Sequence, residues 1–382
     1  MLSNLAKASR FLLPAVFFGY AAAANADLVL KGDWAGLKPS LTGYLHGDVT
    51  REVEAVYKTG LPHRAPAIGL LGAMRYKLLG VGKPGMIVGK DEWFFTEEEF
   101  APEANSADRI ARSVAEVVRV RDRLAEHGTR LVLVPLPAKS DVYADQVADV
   151  YDGRPGRAQY SDFVRRLARS GIQVADTRPV LIAGKTRAEV FFKTDTHWTP
   201  HGADLVAEAV AASVGEDRDW EESAFGLAQA QTVSFWGDLV SFVTDEDYGA
   251  LAGLEKERAA LWQASAPDEG GLTDLFGAES EFPVVLVGSS YSANPTWSFA
   301  EFLKARLAVD VLNVAEEGVG PGTPMFSYLN GPEFADQKPK LVIWEFPTRY
   351  IAQDLLWAEA PTAGDNPGLA LKLSSNLTEA VQ

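Results

Sequence analysis

The chain has 382 residues, of which 47% are hydrophobic and 23% are charged, a composition typical of a globular protein with a sizeable core. Its formal net charge of −16 repels nucleic acid and anionic lipid headgroups, so a nucleic-acid partner is disfavoured. The same charge opposes a polyanionic substrate unless a local basic groove offsets it. Cysteine is absent, which excludes disulfides, Cys-based zinc sites and thiolate catalysis. A covalent nucleophile must therefore be Ser, Thr, Lys or a carboxylate.

The N-terminus resembles an export signal. A start that carries two cations precedes an apolar stretch at 11–24, and Ala24-Asn25-Ala26 supplies small residues before a cut at Asp27. This pattern predicts a secretory signal peptide over residues 1–26. The apolar stretch is shorter than the roughly 20 residues that a membrane-spanning helix needs. An uncleaved membrane anchor is the alternative, and both interpretations place the rest of the chain outside the cytoplasm.

Residues 27–105 are rich in Gly and Pro and are predicted to form an extension that packs on the core. From residue 106 onward, apolar runs typical of buried strands alternate with helical patterns. We predict helices at 107–128, 160–171, 201–215 and 292–307, and strands at 131–139, 171–179, 188–195, 282–290, 309–322 and 340–350. This alternation predicts an α/β fold with a mainly parallel sheet flanked by helices. The domain is predicted to span 106–355, with an insertion near 216–280 and a tail at 356–382.

Ligands of such sheets bind beyond the carboxyl ends of the strands, so polar residues at those ends are the first candidates for a site. The residues found there are Lys139, Asp176, Asp195, Ser289, Ser290, Asn313 and Arg349.

The stretch TDTHWTPHGA (194–203) contains two of the five histidines of the chain. Asp195 and His197 fall in the predicted loop between a strand and a helix that Thr199 caps. A carboxylate beside a histidine fixes its tautomer and stabilises its protonated form, so His197 is a candidate general base. Two alternatives stay open: a metal site of Asp195, His197 and His201, or a His197 that only caps the helix.

The stretch VVLVGSSYSANP (284–295) combines an apolar strand, Gly288, serines and a second cap-and-proline signal. A serine on such a turn points into the crevice, and the N–H groups at the helix start can stabilise an oxyanion. Gly288 permits a tight turn. Together with Asp195 and His197, a serine here would complete a nucleophilic triad, which is defined by geometry and not by chain order.

These motifs carry a family resemblance. The stretches that carry it are DTHW at 195–198, GSSYS at 288–292, WEFPTRY at 344–350, LVLVPLPAKSDVY at 131–143 and KDEWFF at 90–95. As a set they resemble the AlgJ/AlgX family of periplasmic alginate O-acetyltransferases, over roughly residues 75–355. The resemblance implies a three-layer SGNH-hydrolase-like domain with the triad Asp195, His197 and Ser290. It is this resemblance that selects Ser290 over Ser289.

The resemblance has further implications for the site. About thirty residues follow Arg349, too few for the carbohydrate-binding module of AlgX-type proteins, so the chain is closer to AlgJ. The Gly-x-Asn-Asp block of ordinary SGNH hydrolases is missing. Asn313 and the turn GVGPG (318–322) are candidates for part of the oxyanion hole, with a plain loop as the alternative. Lys139 and Arg349 could contact an acidic sugar or be solvated charges. Tyr291 is a candidate substrate contact, although packing around the site is the main expectation for Tyr291 and Trp198.

The resulting hypothesis is a periplasmic O-acetyltransferase that moves an acetyl group through a serine ester to hydroxyls of an exopolysaccharide such as alginate. It implies no cofactor or metal, and partners that include an integral-membrane acyltransferase of the MBOAT type and polysaccharide export proteins. A polysaccharide acetyl-esterase with the same triad is the first alternative, because water replaces the sugar hydroxyl in the second step. A non-catalytic scaffold of an acetylation complex is the second.

Overall fold

A computed structural model describes residues 2–100, 106–216, 218–266, 282–336, 339–353 and 357. Its helices are α1 (Leu2–Lys31), α2 (Leu41–His46), α3 (Asp48–Gly60), α4 (Arg64–Leu79), α5 (Ser106–Ala125), α6 (Lys139–Val142), α7 (Arg154–Arg169), α8 (Thr177–Gly184), α9 (Pro200–Val214), α10 (Gly249–Ala252), α11 (Ser290–Ala293), α12 (Phe299–Leu307), α13 (Gly322–Asn330) and α14 (Pro332–Asp336). Its strands are β1 (Met86–Val88), β2 (Phe94–Thr96), β3 (Arg130–Leu136), β4 (Gln173–Val174), β5 (Gly226–Phe235), β6 (Glu257–Ser265), β7 (Val284–Val287), β8 (Val311–Asn313) and β9 (Leu341–Pro347).

The central sheet is parallel and has the strand order β4-β3-β9-β7-β8. The central strands β3, β7 and β9 read as continuous apolar runs because both of their faces are covered. Alternate residues of each strand enter two separate cores. One core packs the sheet against α8, α9 and α12, and the other packs it against α5, α7 and α13. The predicted three-layer α/β fold is therefore confirmed.

Four predicted elements differ from the structure. Of the strands predicted at 171–179 and 309–322, only Gln173–Val174 and Val311–Asn313 are strand, and Thr177 already begins α8. The run at 188–195 is not a strand of the sheet, and its apolar side chains are buried in a loop that has one isolated bridge, between Phe191 and Trp198. The helix predicted over 292–307 is interrupted. Pro295 begins a separate helical turn, and Ser298 takes a left-handed conformation (φ 57°) before α12 begins.

The predicted insertion contains β5 and β6, which form an antiparallel hairpin outside the main sheet. Between them, residues 239–254 form a small core with α4 and β2. Residues 267–281 of the insertion lie outside the described part, as does the predicted tail at 356–382 apart from Trp357. Within the described residues, no helix has the length and apolarity needed to cross a bilayer.

Candidate active site

The loop between Val190 and Thr199 folds back on itself and presents Asp195 and His197 at its tip. The Phe192 N–H donates to the His197 carbonyl (3.1 Å), and the Thr199 N–H donates to the Val190 carbonyl (3.0 Å). The predicted cap is confirmed, because the Thr199 hydroxyl accepts from the Gly202 N–H at the start of α9. The loop is thus closed by backbone bonds and anchored to a helix.

Lys139 holds this loop through its buried ammonium. Its ammonium donates to the carbonyls of Phe94 (2.7 Å), Lys193 (2.9 Å) and Asp195 (3.0 Å). The residue is 2% exposed, and burial lowers its pKa to about 8. Both interpretations of Lys139, as a contact for an acidic sugar and as a solvated charge, are wrong because all three of its protons are bound by backbone oxygens.

The structure brings the three predicted triad residues together. His197 Nδ1 lies 2.6 Å from Asp195 Oδ1, and His197 Nε2 lies 2.7 Å from Ser290 Oγ. Asp195 Oδ1 also accepts from the backbone N–H of His197 (2.8 Å). A continuous hydrogen-bonded path therefore runs from a buried carboxylate through an imidazole to a partly exposed hydroxyl.

Asp195 and His197 shift each other's pKa. Burial alone raises the pKa of Asp195, but the charge of His197 and three hydrogen bonds lower it below its ordinary value. Burial alone lowers the pKa of His197, but the carboxylates of Asp195 and Asp238 outweigh burial and raise that pKa above 6.5. His197 is consequently a stronger base than a free imidazole.

Asp238, which carries no sequence motif, is a residue of this site that sequence reasoning missed. Its N–H donates to Asp195 Oδ2 (2.9 Å), and its carboxylate accepts from the N–H (2.8 Å) and hydroxyl (2.5 Å) of Thr196. The preceding Gly237 lies so close to the loop that a Cβ there would fall 2.2 Å from the Thr194 carbonyl oxygen. The only hint in the sequence is this Gly-Asp pair within the acidic insertion.

The serine turn explains why Ser290, and not Ser289, meets the imidazole. Ser289 is buried, and its N–H and hydroxyl both donate to the Glu345 carboxylate (3.0 Å each). The Ser292 hydroxyl donates to the same carboxylate (2.7 Å). Gly288 is required here, because a Cβ would lie 2.7 Å from both Glu345 Oε2 and Ser292 Oγ. Burial raises the pKa of Glu345 to about 7, although these hydrogen bonds oppose the shift.

Aromatic rings enclose the imidazole. Trp297 stacks on His197 (centroids 5.0 Å apart, planes at 22°), and Tyr291 lies 4.7 Å away. Trp198 is fully buried and contacts Tyr291 edge-on. Packing, the main expectation for Tyr291 and Trp198, is what these contacts describe. Trp297 had no role in the sequence analysis, where it was only part of a predicted helix.

Arg349 lies behind Tyr291 with a side chain that is only 8% exposed. It donates to the hydroxyls of Tyr291 (3.1 Å) and Tyr350 (3.0 Å), and its Nε lies 3.8 Å from Glu98. Arg349 is therefore not a solvated charge. Its role in binding an acidic substrate stays a prediction.

The oxyanion candidates have other roles in the described contacts. The Asn313 amide donates to the Ser292 carbonyl (2.8 Å) and so braces α11. In the GVGPG turn, Gly318 and Gly320 take left-handed conformations (φ 74° and 76°), and the Pro321 carbonyl accepts from Trp344 Nε1. At the start of α11, the Tyr291 N–H donates to the Ser289 hydroxyl (3.3 Å) and the Ser292 N–H donates to the Ser289 carbonyl (2.9 Å), so an oxyanion role for these donors stays a prediction.

The metal set considered from the sequence is not formed, because His201 Nε2 lies 3.4 Å from the Gly184 carbonyl. Asp195, His197 and Asp238 do bring ligand-type atoms within 4.8 Å of one another. Two of those atoms are already hydrogen-bonded to each other, as in a triad.

A parallel sheet between two layers of helices, with a hydrogen-bonded Asp-His-Ser path at the carboxyl ends of its strands, is the arrangement of SGNH-hydrolase-like proteins. The family model described as "SGNH hydrolase-like domain, acetyltransferase AlgX" matches residues 86–348, and the chain belongs to this AlgJ/AlgX family.

Individual relatives and solved structures support this family membership. The chain is 34% identical over 356 residues to a probable alginate O-acetylase AlgJ of Pseudomonas syringae (91% of this chain, 89% of the relative). It is 35% identical over 325 residues to the AlgJ of Pseudomonas aeruginosa (82% and 83%). The O-acetyltransferase domain of Pseudomonas putida AlgJ superposes with a TM-score of 0.65 at 32% identity, which covers 77% of this chain and 100% of that domain. Pseudomonas aeruginosa AlgX gives a TM-score of 0.56 at 27% identity (71% and 65%).

Proposed function

We propose that this protein is a periplasmic O-acetyltransferase that acetylates hydroxyls of alginate or a related exopolysaccharide. The observation that carries the proposal is the hydrogen-bonded path from Asp195 through His197 to Ser290. Membership in a family of acetyltransferases, with relatives named alginate O-acetylase, supports the substrate class. The predicted signal at 1–26 supports the compartment.

In the first half-reaction, His197 Nε2 takes the proton of Ser290 Oγ as that oxygen attacks the acetyl carbonyl of a donor. The bond between the acetyl carbon and the donor's leaving group then breaks, and His197 returns the proton to that group. Asp195 stabilises the imidazolium in between. The product is an acetyl ester on Ser290.

In the second half-reaction, a sugar hydroxyl gives its proton to His197 and attacks the ester carbonyl. Collapse of the intermediate returns the proton to Ser290 Oγ and leaves the acetyl group on the sugar. Because the acetyl group must reach the periplasm, we propose an integral-membrane acyltransferase of the MBOAT type as the partner that supplies it. Other proteins of polysaccharide export would present the acceptor.

Intact-mass spectrometry after incubation with an activated acetyl ester tests the nucleophile. We expect one acetyl adduct that maps to Ser290 and is absent from Ser290→Ala and His197→Ala. Ser213→Ala, a partly exposed position on α9, is the matched control and keeps the adduct. An adduct that persists in Ser290→Ala, or no adduct together with no ester turnover, contradicts the mechanism and favours the scaffold alternative.

Product analysis with and without an oligosaccharide acceptor separates transfer from hydrolysis. A transferase yields acetylated sugar when the acceptor is present, at the expense of free acetate. If acetate is the sole product at every acceptor concentration, and the protein also removes acetyl groups from acetylated polymer, the esterase alternative replaces the proposal.

A further inference from the structure

The helix α4 has two faces of opposite character. Gly69, Gly72, Ala73 and Tyr76 are buried, and the approach is close enough that a Cβ on Gly72 would lie 2.1 Å from the Val243 carbonyl oxygen. At about 100° per residue, Ala67, Leu71, Met74 and Leu78 form a stripe on the opposite side. Leu71 is 69% exposed and Leu78 is 74% exposed. We call these four residues the α4 stripe. One face of α4 is therefore packed against the protein, while the opposite, apolar face is exposed to solvent.

The segment that contains the α4 stripe is positively charged, although the whole chain is negatively charged. Residues 55–90 contain four Lys, two Arg and no Asp or Glu, in a chain of net charge −16. On the helix itself, Arg64 and Arg75 follow one border of the stripe and Lys77 follows the other. The Lys77 ammonium also donates to the Leu251 carbonyl (3.2 Å), and the Asp245 carboxylate lies beside Gly69 on the opposite, buried face. The general expectation that this protein repels anionic lipid headgroups therefore does not hold for this segment.

An apolar stripe bordered by cations is typical of helices that lie in the interface of a membrane, with the apolar side in the acyl boundary and the cations at the headgroups. A single exposed helix face also suits a lipid surface, which needs no complementary groove. The stripe lies outside the part of the chain that the acetyltransferase family model matches, so the proposed reaction does not account for it.

A second apolar surface continues from the same place. The ring of Tyr20 in α1 contacts the ring of His63, the residue before α4 begins (centroids 5.2 Å apart). One turn earlier in α1, Val16, Phe17 and Phe18 are each more than 60% exposed. These residues lie in the predicted signal at 1–26, so this second surface belongs to the uncleaved chain. Leu28 of α1 is buried beside Gly60, where an added Cβ would lie 2.1 Å from its methyl group. Before cleavage, exposed apolar side chains of α1 thus lie near the start of α4.

We propose that the α4 stripe docks on the surface of an anionic lipid bilayer, with Arg64, Arg75 and Lys77 at the headgroups. This inference does not depend on the acetyl-transfer reaction. The acidic remainder of the protein would be repelled by the same surface, so the active site would face away from the lipid.

The absence of cysteine makes the test specific, because one introduced cysteine can be spin-labelled uniquely in the full chain. The variants are Leu71→Cys and Leu78→Cys on the stripe. The matched control is Val150→Cys, an apolar position that precedes α7 and is also mostly exposed (86%). With vesicles of phosphatidylethanolamine and phosphatidylglycerol, labels at 71 and 78 should become accessible to oxygen and lose accessibility to a water-soluble nickel complex. The label at 150 should not change.

The readout is local to α4, so binding of the vesicle through α1 alone does not mimic the result. Labels at 71 and 78 that stay in water on vesicle-bound protein overturn the proposal. Burial of the labels without lipid, in step with a concentration-dependent dimer, assigns the face to a second copy and also overturns it. If the labels at 71 and 78 are protected only in native membranes, and not on pure vesicles, the face binds a protein partner and the proposal is likewise overturned.

Charge variants test the second part of the proposal. Arg64→Gln and Lys77→Gln should each weaken partition into anionic vesicles by about fivefold at low salt. Arg187→Gln, an exposed cation beyond α8, is the matched control and should leave partition unchanged. Equal partition of all three variants contradicts a role for these cations, as does equal binding to vesicles of phosphatidylcholine alone.

Discussion

Ser289 and Ser290 are adjacent in the chain, but their hydroxyls have opposite surroundings. The hydroxyl of Ser289 donates to the Glu345 carboxylate inside the protein, whereas the hydroxyl of Ser290 meets His197 at a partly exposed position. The polar character of the GSS stretch could be predicted from the sequence. The choice between its serines could not, because it depends on Glu345, which is 56 residues away.

We expect Asp195→Asn to reduce ester turnover by about 10³–10⁴-fold, because an amide disfavours the tautomer of His197 that accepts the Ser290 proton. Steady-state kinetics with an activated ester measures the effect, and circular dichroism checks that the variant folds. A loss below tenfold in a folded variant contradicts the role of Asp195.

Asp238→Asn should have a smaller effect of a different kind. The Asp238 carboxylate contributes to the raised pKa of His197, and the reaction needs neutral His197. Its removal therefore moves the acid limb of the pH–rate profile to lower pH, while the plateau changes less than in Asp195→Asn. Profiles recorded side by side test this. An unchanged acid limb means that Asp238 acts only through the Thr196 contacts.

Glu345 should make stability depend on pH. Its pKa is about 7 in the folded protein against 4.5 ordinarily, so the folded state binds more protons between these values. Its contribution is complete below about pH 4.5 and is lost as the pH rises through 7. Urea unfolding of the wild type and Glu345→Gln across this window should show a smaller decline in the variant. Parallel curves contradict a buried, protonatable Glu345.

At the scale of elements, the active-site loop is held by parts of the chain that are distant in sequence. Lys139 joins it to β2, Asp238 joins it to the insertion, and α9 continues from it. The cap by Thr199 and the start of α9 could be predicted because they are local signals. The run at 188–195 was assigned wrongly because three successive buried apolar residues look alike in a strand and in a buried loop.

The contact between Gly237 and the loop can be tested by substitution. Gly237→Ala places a Cβ 2.2 Å from the Thr194 carbonyl oxygen, so the loop or the insertion must move. We expect ester turnover to fall at least tenfold, because small displacements of catalytic groups are costly. Gly226→Ala is the control in the same insertion, since its nearest neighbour is 3.7 Å away. Equal activity of the two variants contradicts the importance of this approach.

Lys139→Met should destabilise the protein by roughly 2 kcal/mol or more, because it leaves three carbonyls without their donor. Urea unfolding measures the free energy of unfolding. Lys256→Met is the control, because Lys256 is an exposed cation whose ammonium lies over the Trp236 ring and donates no described hydrogen bond. Equal stabilities of the two variants contradict a structural role for the buried ammonium.

At the scale of the whole molecule, the fold could be predicted more completely than the surface. Apolar strands and helical periods predict the layers of the sheet, since burial constrains them directly. The cationic character of 55–90 is visible in the printed sequence but is hidden by the net charge of −16. The exposed face of α4 could not be predicted, because it is defined by which side of the helix the insertion covers.

The contacts that hold the active-site loop also determine when the site forms during folding. Its geometry depends on contacts that join residues 94, 139, 195, 238, 290 and 345, which span most of the described chain. A nascent or partly folded chain therefore lacks the hydrogen-bonded path to Ser290, and the proposed acyl transfer would begin only when the last of these segments docks. If the chain is exported before it folds, as the predicted signal implies, this late assembly would keep Ser290 unreactive until export is complete.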